Sequence, residues 1–185
     1  MNRPLAIDLF GCGGGMALAM LLAGFAVAGP VDVDPIWAEI IRMNFCGPDR
    51  LLPHCSQAFP LTADLLRITP QQVATMLAIR LDELVFVHGS PPCQDHSYGG
   101  FRRRIGPGHD CLLVMADWAD ACPDAFITVE NVFGVDDSSR FHELICRLRR
   151  NRETQWYKTC ATWWGVAQHR DRIWVVSAPQ GRACP

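Results

Sequence analysis

The sequence predicts an α/β fold built on a doubly wound, mostly parallel sheet, and three observations lead to this prediction. Short apolar runs alternate with helix-length segments along the whole chain. A cluster of glycines follows the first apolar run, where a strand passes into a helix in such folds. Too few residues separate the last two predicted strands for a helical crossover, so these two strands are expected to pair antiparallel.

The predicted elements follow from the hydrophobic pattern and from the residues that begin helices. We predict strands over residues 4–10, 25–33, 84–88, 125–130, 156–162 and 173–177. We predict helices over residues 16–23, 35–44, 69–81, 111–121 and 141–150. Pro35 and Pro70 stand at helix starts, where the missing N–H of proline costs no hydrogen bond. Strands that alternate with helices in this way indicate a parallel sheet covered by helices.

Length and composition indicate one domain, over residues 1–185. A chain of 185 residues that is 49% hydrophobic can bury a single core, with little room for a second full domain. The net charge of −2 does not mark a nucleic-acid binder, so any such surface must be local. Basic residues cluster at Arg102–Arg104, Arg147–Arg152 and His169–Arg172.

Cysteine usage and hydropathy bear on location. The nine cysteines include no CxxC pair, and no Cys/His cluster has zinc-like spacing. We therefore expect a reducing, cytoplasmic setting with mostly buried thiols and no metal. The run from Met16 to Val31 is apolar and uncharged, but it is shorter than the roughly 20 residues of a membrane span. We interpret it as a buried helix followed by a buried strand, and expect no membrane association.

A glycine-rich loop follows the first predicted strand. Gly11-Cys12-Gly13-Gly14-Gly15 would let the backbone approach a ligand closely, or would form a tight turn that binds nothing. Asp32 and Asp34 follow about 20 residues further on, where an acid can bind ribose hydroxyls. Asp64-Leu65 could meet an adenine edge after the next strand. The loop contains no Lys or Arg for a phosphate, so an adenosine without phosphates, such as S-adenosylmethionine, fits better.

A second group of motifs carries the chemistry. In Ser90-Pro91-Pro92-Cys93-Gln94, two prolines stiffen the backbone before one thiol, which makes Cys93 the candidate reactive cysteine. Glu130 ends another strand, where it is either a functional acid, a solvated strand end or a helix cap. Arg170 and Arg172 alternate along an extended segment and so point the same way, either into a site or into solvent.

Taken together, these motifs resemble those of cytosine-C5 DNA methyltransferases. The matching segments are Asp8-Leu9-Phe10 with the glycine loop, Ser90-Pro91-Pro92-Cys93-Gln94, Glu130-Asn131-Val132 and Gln168-x-Arg170-x-Arg172. They occur in the family's order, and the likeness runs from about residue 5 to residue 178. The resemblance implies the Rossmann-like fold of class I S-adenosylmethionine-dependent methyltransferases, with an antiparallel last strand.

The resemblance also implies a mechanism. Cys93 would attack C6 of a cytosine that has been flipped out of the DNA stack, which makes C5 nucleophilic. Glu130 would hold N3 and supply a proton to the ring. Arg170 and Arg172 would hold the base near O2 and stabilise developing charge. S-adenosylmethionine would then supply the methyl group.

Further contacts follow from the same resemblance. The implied cofactor-binding residues are Phe10, Gly11, Cys12, Gly13, Gly15, Asp32, Val33, Asp64, Leu65, Pro91 and Leu112. The implied DNA-binding residues are Pro92, Gln94, Ser97, Arg102, Arg103, Arg104, Asn131 and Gln168. Residues 94–110, with glycines on either side of the arginine triplet, are predicted to form a loop that closes over DNA, or else a disordered basic loop.

The sequence departs from the family pattern in three places. Gly11-Cys12 stands where the family usually has a small residue and then Gly, and His96 stands where it usually has an aromatic residue. The family's target-recognition domain and its last two motifs have no counterpart, as in short phage-type members. Target selectivity would then be low, be determined by short loops, or be supplied by another chain.

Three other functions remain open at this point. The first is cytosine-C5 methylation of RNA, because an RNA-modifying branch shares these motifs. The second is a catalytic subunit completed by a recognition subunit or by a homodimer. The third is a cofactor-binding regulator without turnover, against which the presence of Cys93, Glu130 and Arg172 argues.

Overall fold

The computed structural model describes residues 3–46, 60–92 and 107–184. The strands are β1 Leu5–Leu9, β2 Ala26–Asp32, β3 Leu61–Thr62, β4 Leu84–Gly89, β5 Phe126–Val132, β6 Glu153–Cys160 and β7 Asp171–Ala178. The helices are α1 Gly15–Leu22, α2 Pro35–Ile41, α3 Pro70–Leu77, α4 Pro107–Ala121 and α5 Ser139–Leu148. The seven strands belong to one mostly parallel sheet, which confirms the predicted α/β fold.

The chain divides into two compact units, of which the first is Met1–Gly89. Its strand order is β3-β2-β1-β4; β1 pairs parallel with β2 and with β4, and β2 pairs parallel with β3. Parallel strands end at the same edge of a sheet, so the loops that follow β1 and β2 emerge side by side. A core cluster that includes Ala6, Met20, Val27 and Ile41 packs α1 and α2 against the strands.

An irregularity in β2 shapes the loop after β1. The pairing of β1 with β2 shifts register between Ile7 and Leu9, and Gly29 adopts a φ of 88°, which only glycine adopts at little cost. Pro30 follows at this bulge, where its missing N–H removes no regular ladder bond. The Gly11 N–H donates to the Val31 carbonyl at 3.1 Å, so the glycine loop is hydrogen-bonded to the bulged strand.

The second unit is Ser90–Pro185. In it β7 lies between β5 and β6 and is antiparallel to both, as predicted for the last two strands. Helix α4 packs against α5, whose N-terminus is capped by the Ser138 hydroxyl accepting from the Phe141 N–H at 3.1 Å. Trp118, Met115 and Leu144 are among the fully buried side chains of this unit.

Several element boundaries differ from the prediction for local reasons. Helix α3 ends at Leu77 rather than near residue 81, because Ala78 adopts a left-handed conformation with a φ of 53°. A short 3₁₀ turn at Leu81–Glu83 then leads into β4. Strand β6 begins at Glu153 and ends at Cys160, so the predicted strand over 156–162 was displaced toward the C-terminus.

The start of α4 corrects part of the predicted DNA-closing loop. Pro107 opens this helix, four residues before the predicted start, as proline commonly does at a first helical position. Residues 107–110 are therefore helical rather than part of a loop over 94–110.

The apolar run from Met16 to Val31 forms most of α1 and then β2, as predicted. None of the helices in the described ranges combines the length and the apolar character of a membrane span.

Candidate functional site

Three residues in the glycine loop or directly before it lie in the left-handed region, and two of them are not glycine. Phe10 has a φ of 56°, Cys12 of 42° and Gly14 of 83°. Cys12, which stands where the family usually has Gly, therefore adopts a left-handed conformation that is costly for a residue other than glycine. A Cβ built on Gly11 would lie 2.4 Å from the Cβ of Pro30, so only glycine fits at that position.

Asp32 joins the end of β2 to the glycine loop. Its Oδ2 accepts from the Cys12 N–H at 3.0 Å, and its Oδ1 accepts from the Asp34 N–H at 3.1 Å. Each carboxylate oxygen has a second lone pair, so a half-buried Asp32 can still accept from two vicinal hydroxyls. The predicted ribose-binding acid and the predicted glycine loop thus lie in direct contact.

The space beside the loop fits a carboxylate-bearing adenosine derivative such as S-adenosylmethionine. A Cβ on Gly15 would meet no atom within 4 Å. Helix α1 begins after Gly14, which has no side chain to cap it, and the positive end of the helix dipole favours an anionic group such as the methionine carboxylate. Asp32 would accept from the ribose, and the glycine loop would accommodate the methionine chain.

Trp37 is a candidate contact that the sequence reasoning missed. Its ring lies 3.7 Å from where a Cβ of Gly13 would stand, and its side chain is half-buried in the first turn of α2. In the sequence, only its position five residues after Asp32 could have indicated a cofactor contact, and such a spacing alone is a weak signal.

The other predicted cofactor residues of the first unit differ in exposure and in bonding. Val33 is exposed, Phe10 is half-buried and Leu65 is buried. Asp64 accepts from the Leu66 N–H at 3.0 Å and forms an ion pair with Arg67 at 3.1 Å, so its carboxylate already stabilises a turn. Contact of these side chains with a cofactor stays a prediction.

Asp34, the second acid at the end of β2, has a local role. Its Oδ1 accepts from the Ile36 N–H at 3.0 Å and caps α2. Of the two acids, Asp32 is therefore the one placed against the glycine loop.

Asp8 is a buried carboxylic acid beneath the loop. Its Oδ2 accepts from the Ala17 N–H at 3.1 Å, whereas its Oδ1 has no hydrogen-bond partner among the described residues. The pKa of Asp8 is raised from 3.8 to about 7; burial is the main cause, the Ala17 hydrogen bond partly opposes it, and the negative charge of Asp32 adds to it. Asp8 can therefore exist in either protonation state near neutral pH.

The catalytic acid predicted in the second unit is held by both predicted arginines. The Arg172 Nε lies 2.5 Å from the Glu130 Oε1, and an Arg170 terminal nitrogen lies 3.8 Å from the same oxygen. The Glu130 and Arg172 side chains are 16% and 19% exposed, so the ion pair is largely shielded from solvent but part of its surface can still contact a ligand. The prediction that Arg170 and Arg172 point the same way is confirmed.

The antiparallel register explains this arrangement. Val132 lies directly opposite Arg172, and Glu130 is the next residue on the same face of β5. Diagonal neighbours of this kind are within reach of long side chains.

Asn131 positions the segment that precedes Cys93. Its buried Nδ2 donates to the Pro91 carbonyl at 3.1 Å, and its Oδ1 accepts from the Val132 N–H at 2.9 Å. Both ends of the amide are therefore engaged within the second unit, which gives Asn131 a positioning role. A contact between Asn131 and DNA stays a prediction.

The remaining predicted residues divide by where they lie. Pro92 and Gln168 are exposed, whereas Pro91 and Leu112 are buried. Cys93, Gln94, Ser97, Arg102, Arg103 and Arg104 lie outside the described residues.

The basic cluster at residues 147–152 is largely used inside the protein. Arg147 pairs with Asp117 at 2.8 Å and with Asp120 at 2.7 Å, and the Arg149 guanidinium lies over the Trp156 ring. This cluster is thus a poor candidate for a phosphate-binding surface.

The chain is similar to curated type II methyltransferases over nearly its whole length. It is 29% identical over 196 residues to the type II methyltransferase M.XorII of Xanthomonas oryzae pv. oryzae. The alignment covers 100% of this chain and 43% of that protein. It is also 26% identical over 196 residues to the type II methyltransferase M.AquIA of Picosynechococcus sp.. This alignment covers 98% of this chain and 74% of that protein. The chain thus spans less than half the length of the first of these relatives.

Solved structures agree on the fold. The S. pombe Dnmt2 methyltransferase superposes with a TM-score of 0.71 at 18% identity, covering 99% of this chain and 53% of that one. The Entamoeba histolytica methyltransferase EhMeth superposes with a TM-score of 0.73 at 18% identity, covering 100% of this chain and 56% of that one. At this level of identity the likeness establishes the methyltransferase fold.

Sequence similarity to a defined family extends over the same range. The model of C-5 cytosine-specific DNA methylases matches residues 5–184, which include the glycine loop, Glu130 and the Arg170–Arg172 segment. The chain therefore belongs to the C-5 cytosine-specific DNA methylase family, whose methyl donor is S-adenosylmethionine.

Proposed function

We propose that this chain methylates C5 of cytosine in DNA through a covalent bond between the Cys93 sulfur and C6. The observation that supports this proposal most directly is the Glu130 carboxylate held at 2.5 Å by Arg172. A carboxyl group fixed by a cation at the end of a strand can present a defined hydrogen-bonding edge to a planar base.

The proposed reaction begins at the cytosine ring. Glu130, with its carboxyl group protonated, contacts N3 and transfers that proton to it, which makes C6 electrophilic. The Cys93 thiolate then forms a bond to C6, and the electron pair of the C5–C6 double bond becomes available at C5. When bound, S-adenosylmethionine supplies an electrophilic methyl group to C5. Loss of the C5 proton to a base then re-forms the C5–C6 double bond and releases the Cys93 thiolate, and N3 returns its proton to Glu130.

Arg170 and Arg172 assist in two ways in this proposal. Their contacts with Glu130, at 3.8 and 2.5 Å, keep the carboxylate in one orientation during proton transfer. Their positive charges also stabilise negative charge that develops near O2 of the base. Asn131 contributes indirectly, because its bond to the Pro91 carbonyl restrains the backbone two residues before Cys93.

A mechanism-based adduct tests the covalent step. DNA that contains 5-fluorocytosine should trap the enzyme, because fluorine at C5 cannot be removed as a proton. We expect peptide mapping to place the adduct on Cys93 and the Cys93→Ala variant to form none. Cys146→Ala, at an exposed position of α5, is the matched control and should form the adduct normally. An adduct on another cysteine would refute the assignment.

DNA is the proposed substrate because the family model that matches the chain is that of C-5 cytosine-specific DNA methylases. Tritiated methyl transfer should be measured on duplex DNA, single-stranded DNA and total RNA in parallel. We expect incorporation into DNA, and exclusive incorporation into RNA would transfer the proposal to the RNA-modifying branch.

Target selection is proposed to be short or relaxed for this chain alone. Arg102, Arg103 and Arg104 would contact phosphates, which position a protein without specifying sequence. Bisulfite sequencing of DNA from an expressing host should reveal the methylated sites. A long, strictly defined target would instead support a recognition subunit or a homodimer.

The proposal also includes the domain organisation and the cellular location. We propose that residues 1–185 act as one catalytic methyltransferase domain. We also propose a cytoplasmic location, because a reducing compartment preserves thiols such as Cys122, Cys146 and Cys160. Fractionation of the expressing cells tests the location.

A further inference from the structure

We propose that Cys160, His169 and Asp171 form a binding site for a thiophilic divalent cation, of which Zn²⁺ is the best match. One potential ligand atom from each side chain lies within 4.8 Å of the other two. The proposal runs against the expectation of no metal that was based on residue spacing, since Cys-x₈-His-x-Asp resembles no standard zinc motif.

The β6–β7 hairpin brings the three side chains together. Cys160 is the last residue of β6 and lies directly opposite Asp171, the first residue of β7. His169 precedes Asp171 by two residues, and side chains two residues apart on an extended chain lie on the same face. The Ala161 N–H donates to the Arg170 carbonyl at 3.0 Å, which extends the hairpin pairing past the ends of the strands.

The distances require little adjustment for metal binding. The His169 Nδ1 lies 3.8 Å from the Asp171 Oδ2. Ligand atoms around a tetrahedral zinc lie about 3.5 Å apart, given zinc–ligand distances of roughly 2.0 to 2.3 Å. His169, whose side chain is 78% exposed, can rotate to close the remaining gap.

The burial of the three groups matches their proposed roles. Cys160 is 3% exposed, so its sulfur would form the inner wall of the site, whereas Asp171 is partly open to solvent. The Thr162 hydroxyl donates to the Cys160 sulfur at 3.2 Å, a contact that orients the sulfur and can persist when it binds a cation.

The ligand set selects the class of cation. Sulfur and imidazole ligands favour Zn²⁺ over Mg²⁺ and Ca²⁺, which prefer oxygen. On binding, the Cys160 thiol releases its proton to solvent and the sulfur electron pair forms the bond to the metal. Three protein ligands leave a fourth position, which water can occupy on the exposed side of the hairpin.

Metal binding would restrain the segment that carries the arginines. Arg170 lies between His169 and Asp171 in sequence, and its side chain reaches Glu130 with that of Arg172. A cation bound by Cys160, His169 and Asp171 would cross-link the end of β6 to the start of β7 and so stiffen this backbone. The binding itself is independent of the proposed methyltransferase activity.

Zinc affinity of the full chain is the first measurement. The protein is stripped with a chelator under reducing conditions and then titrated with Zn²⁺ against a chromogenic competitor. We expect one site whose affinity falls by roughly tenfold or more in His169→Ala and in Asp171→Asn. His142→Ala, which removes an exposed histidine of α5, should leave the affinity unchanged.

Cobalt identifies the sulfur ligand. Co²⁺ added to the stripped protein should produce a thiolate charge-transfer band that is lost in Cys160→Ala and retained in Cys146→Ala. Because Cys160 is buried, circular dichroism must confirm that its variant folds, and His169→Ala provides the test if it does not. Equal Zn²⁺ affinities for His169→Ala and His142→Ala would overturn the proposal, as would a cobalt band that survives in folded Cys160→Ala.

Discussion

Glu130 is the residue whose role can be tested most directly. Glu130→Gln preserves the shape and the acceptor oxygen that contacts Arg172, but removes the group that transfers a proton. We expect the methyl-transfer rate to fall by about 10²–10⁴-fold while affinity for S-adenosylmethionine is unchanged. Single-turnover kinetics and calorimetry measure the two quantities separately.

Glu143→Gln is the matched control for this prediction. Glu143 lies on the exposed face of α5 and pairs with Arg140 at 2.7 Å, so its substitution should leave the rate unaltered. If Glu130→Gln retained a near wild-type rate, Glu130 would be a structural partner of Arg172 only.

Asp32 is the corresponding residue for the cofactor. Asp32→Ala removes the proposed ribose acceptor and also the acceptor of the Cys12 and Asp34 N–H groups. We expect S-adenosylmethionine to bind more weakly by about 1–3 kcal/mol in calorimetry. Asp82→Ala, at an exposed turn before β4, should bind normally, and an unaltered affinity for Asp32→Ala would reject the ribose assignment.

Asp8 predicts a pH dependence of stability. Because its pKa rises from 3.8 to about 7 on folding, the folded state binds more protons than the unfolded state between these values. Its favourable contribution is complete below about pH 4 and is lost as the pH rises through about 7. Asp8→Asn cannot titrate. We therefore compare the unfolding free energies of Asp8→Asn and wild type by urea denaturation. The difference, variant minus wild type, should increase by up to about 4 kcal/mol between about pH 4 and pH 8.

His88 partly conceals this effect in the wild-type protein. Burial lowers the pKa of His88 from 6.5 to about 3, so its contribution is present above about pH 6.5 and is lost as the pH falls toward 3. The two groups therefore act in opposite directions over much of the same range. The comparison of Asp8→Asn with wild type isolates Asp8, and a difference that does not vary with pH would contradict the buried-acid interpretation.

At the scale of elements, the glycine loop depends on its contact with the bulged strand β2. An Ala side chain at position 11 would overlap with Pro30, since the two Cβ atoms would lie 2.4 Å apart. We expect Gly11→Ala to lower the unfolding free energy by about 1–3 kcal/mol, through overpacking.

Gly15→Ala is the matched control within the same loop. No atom lies within 4 Å of a Cβ at this position, and Gly15 is the first residue of α1. Its substitution should be neutral or should stabilise by up to about 1 kcal/mol. Urea midpoints without ligand compare the two variants, and equal midpoints would show that β2 tolerates a side chain on Gly11.

The order and type of the elements were predictable, because they depend on local pattern. The Pro-initiated helices α2 and α3 and the alternation of apolar strands were recognised from residues within a few positions of one another. The end of α3 was not predicted, because Ala78 carries no turn signal although it adopts a left-handed conformation. The bulge at Gly29 was likewise invisible, since it exists only in the pairing of β2 with β1.

At the scale of the molecule, Arg152 links separate parts of the second unit. Its guanidinium donates to the Pro123 carbonyl at 3.0 Å, to the Ala125 carbonyl, and to the Ser177 hydroxyl and carbonyl at 3.0 and 3.1 Å. Arg152→Ala would leave these acceptors without their donor, and we expect a loss of about 2–4 kcal/mol of unfolding free energy.

Arg150→Ala is the control, because Arg150 is exposed and belongs to the same basic cluster. Its substitution should change the unfolding free energy by less than about 0.5 kcal/mol. Thermal and urea denaturation measure both variants. A similar, small effect of the two substitutions would mean that the Arg152 contacts contribute little net stability.

The sequence by itself determined the α/β class, the family and the identity of the residues with proposed chemical roles. These conclusions follow from short motifs and from periodicity, which are local properties of a chain. The sequence could also predict that Arg170 and Arg172 share a face, because alternation is intrinsic to an extended segment.

Only the tertiary structure decided which of these residues meet. The pairing of Arg172 with Glu130 depends on the register of β5 and β7, and the need for glycine at position 11 depends on Pro30 in a bulged neighbour. The grouping of Cys160, His169 and Asp171 likewise depends on the register of β6 and β7. Strand register is a long-range property set by packing and pairing, so spacing along the chain does not reveal it.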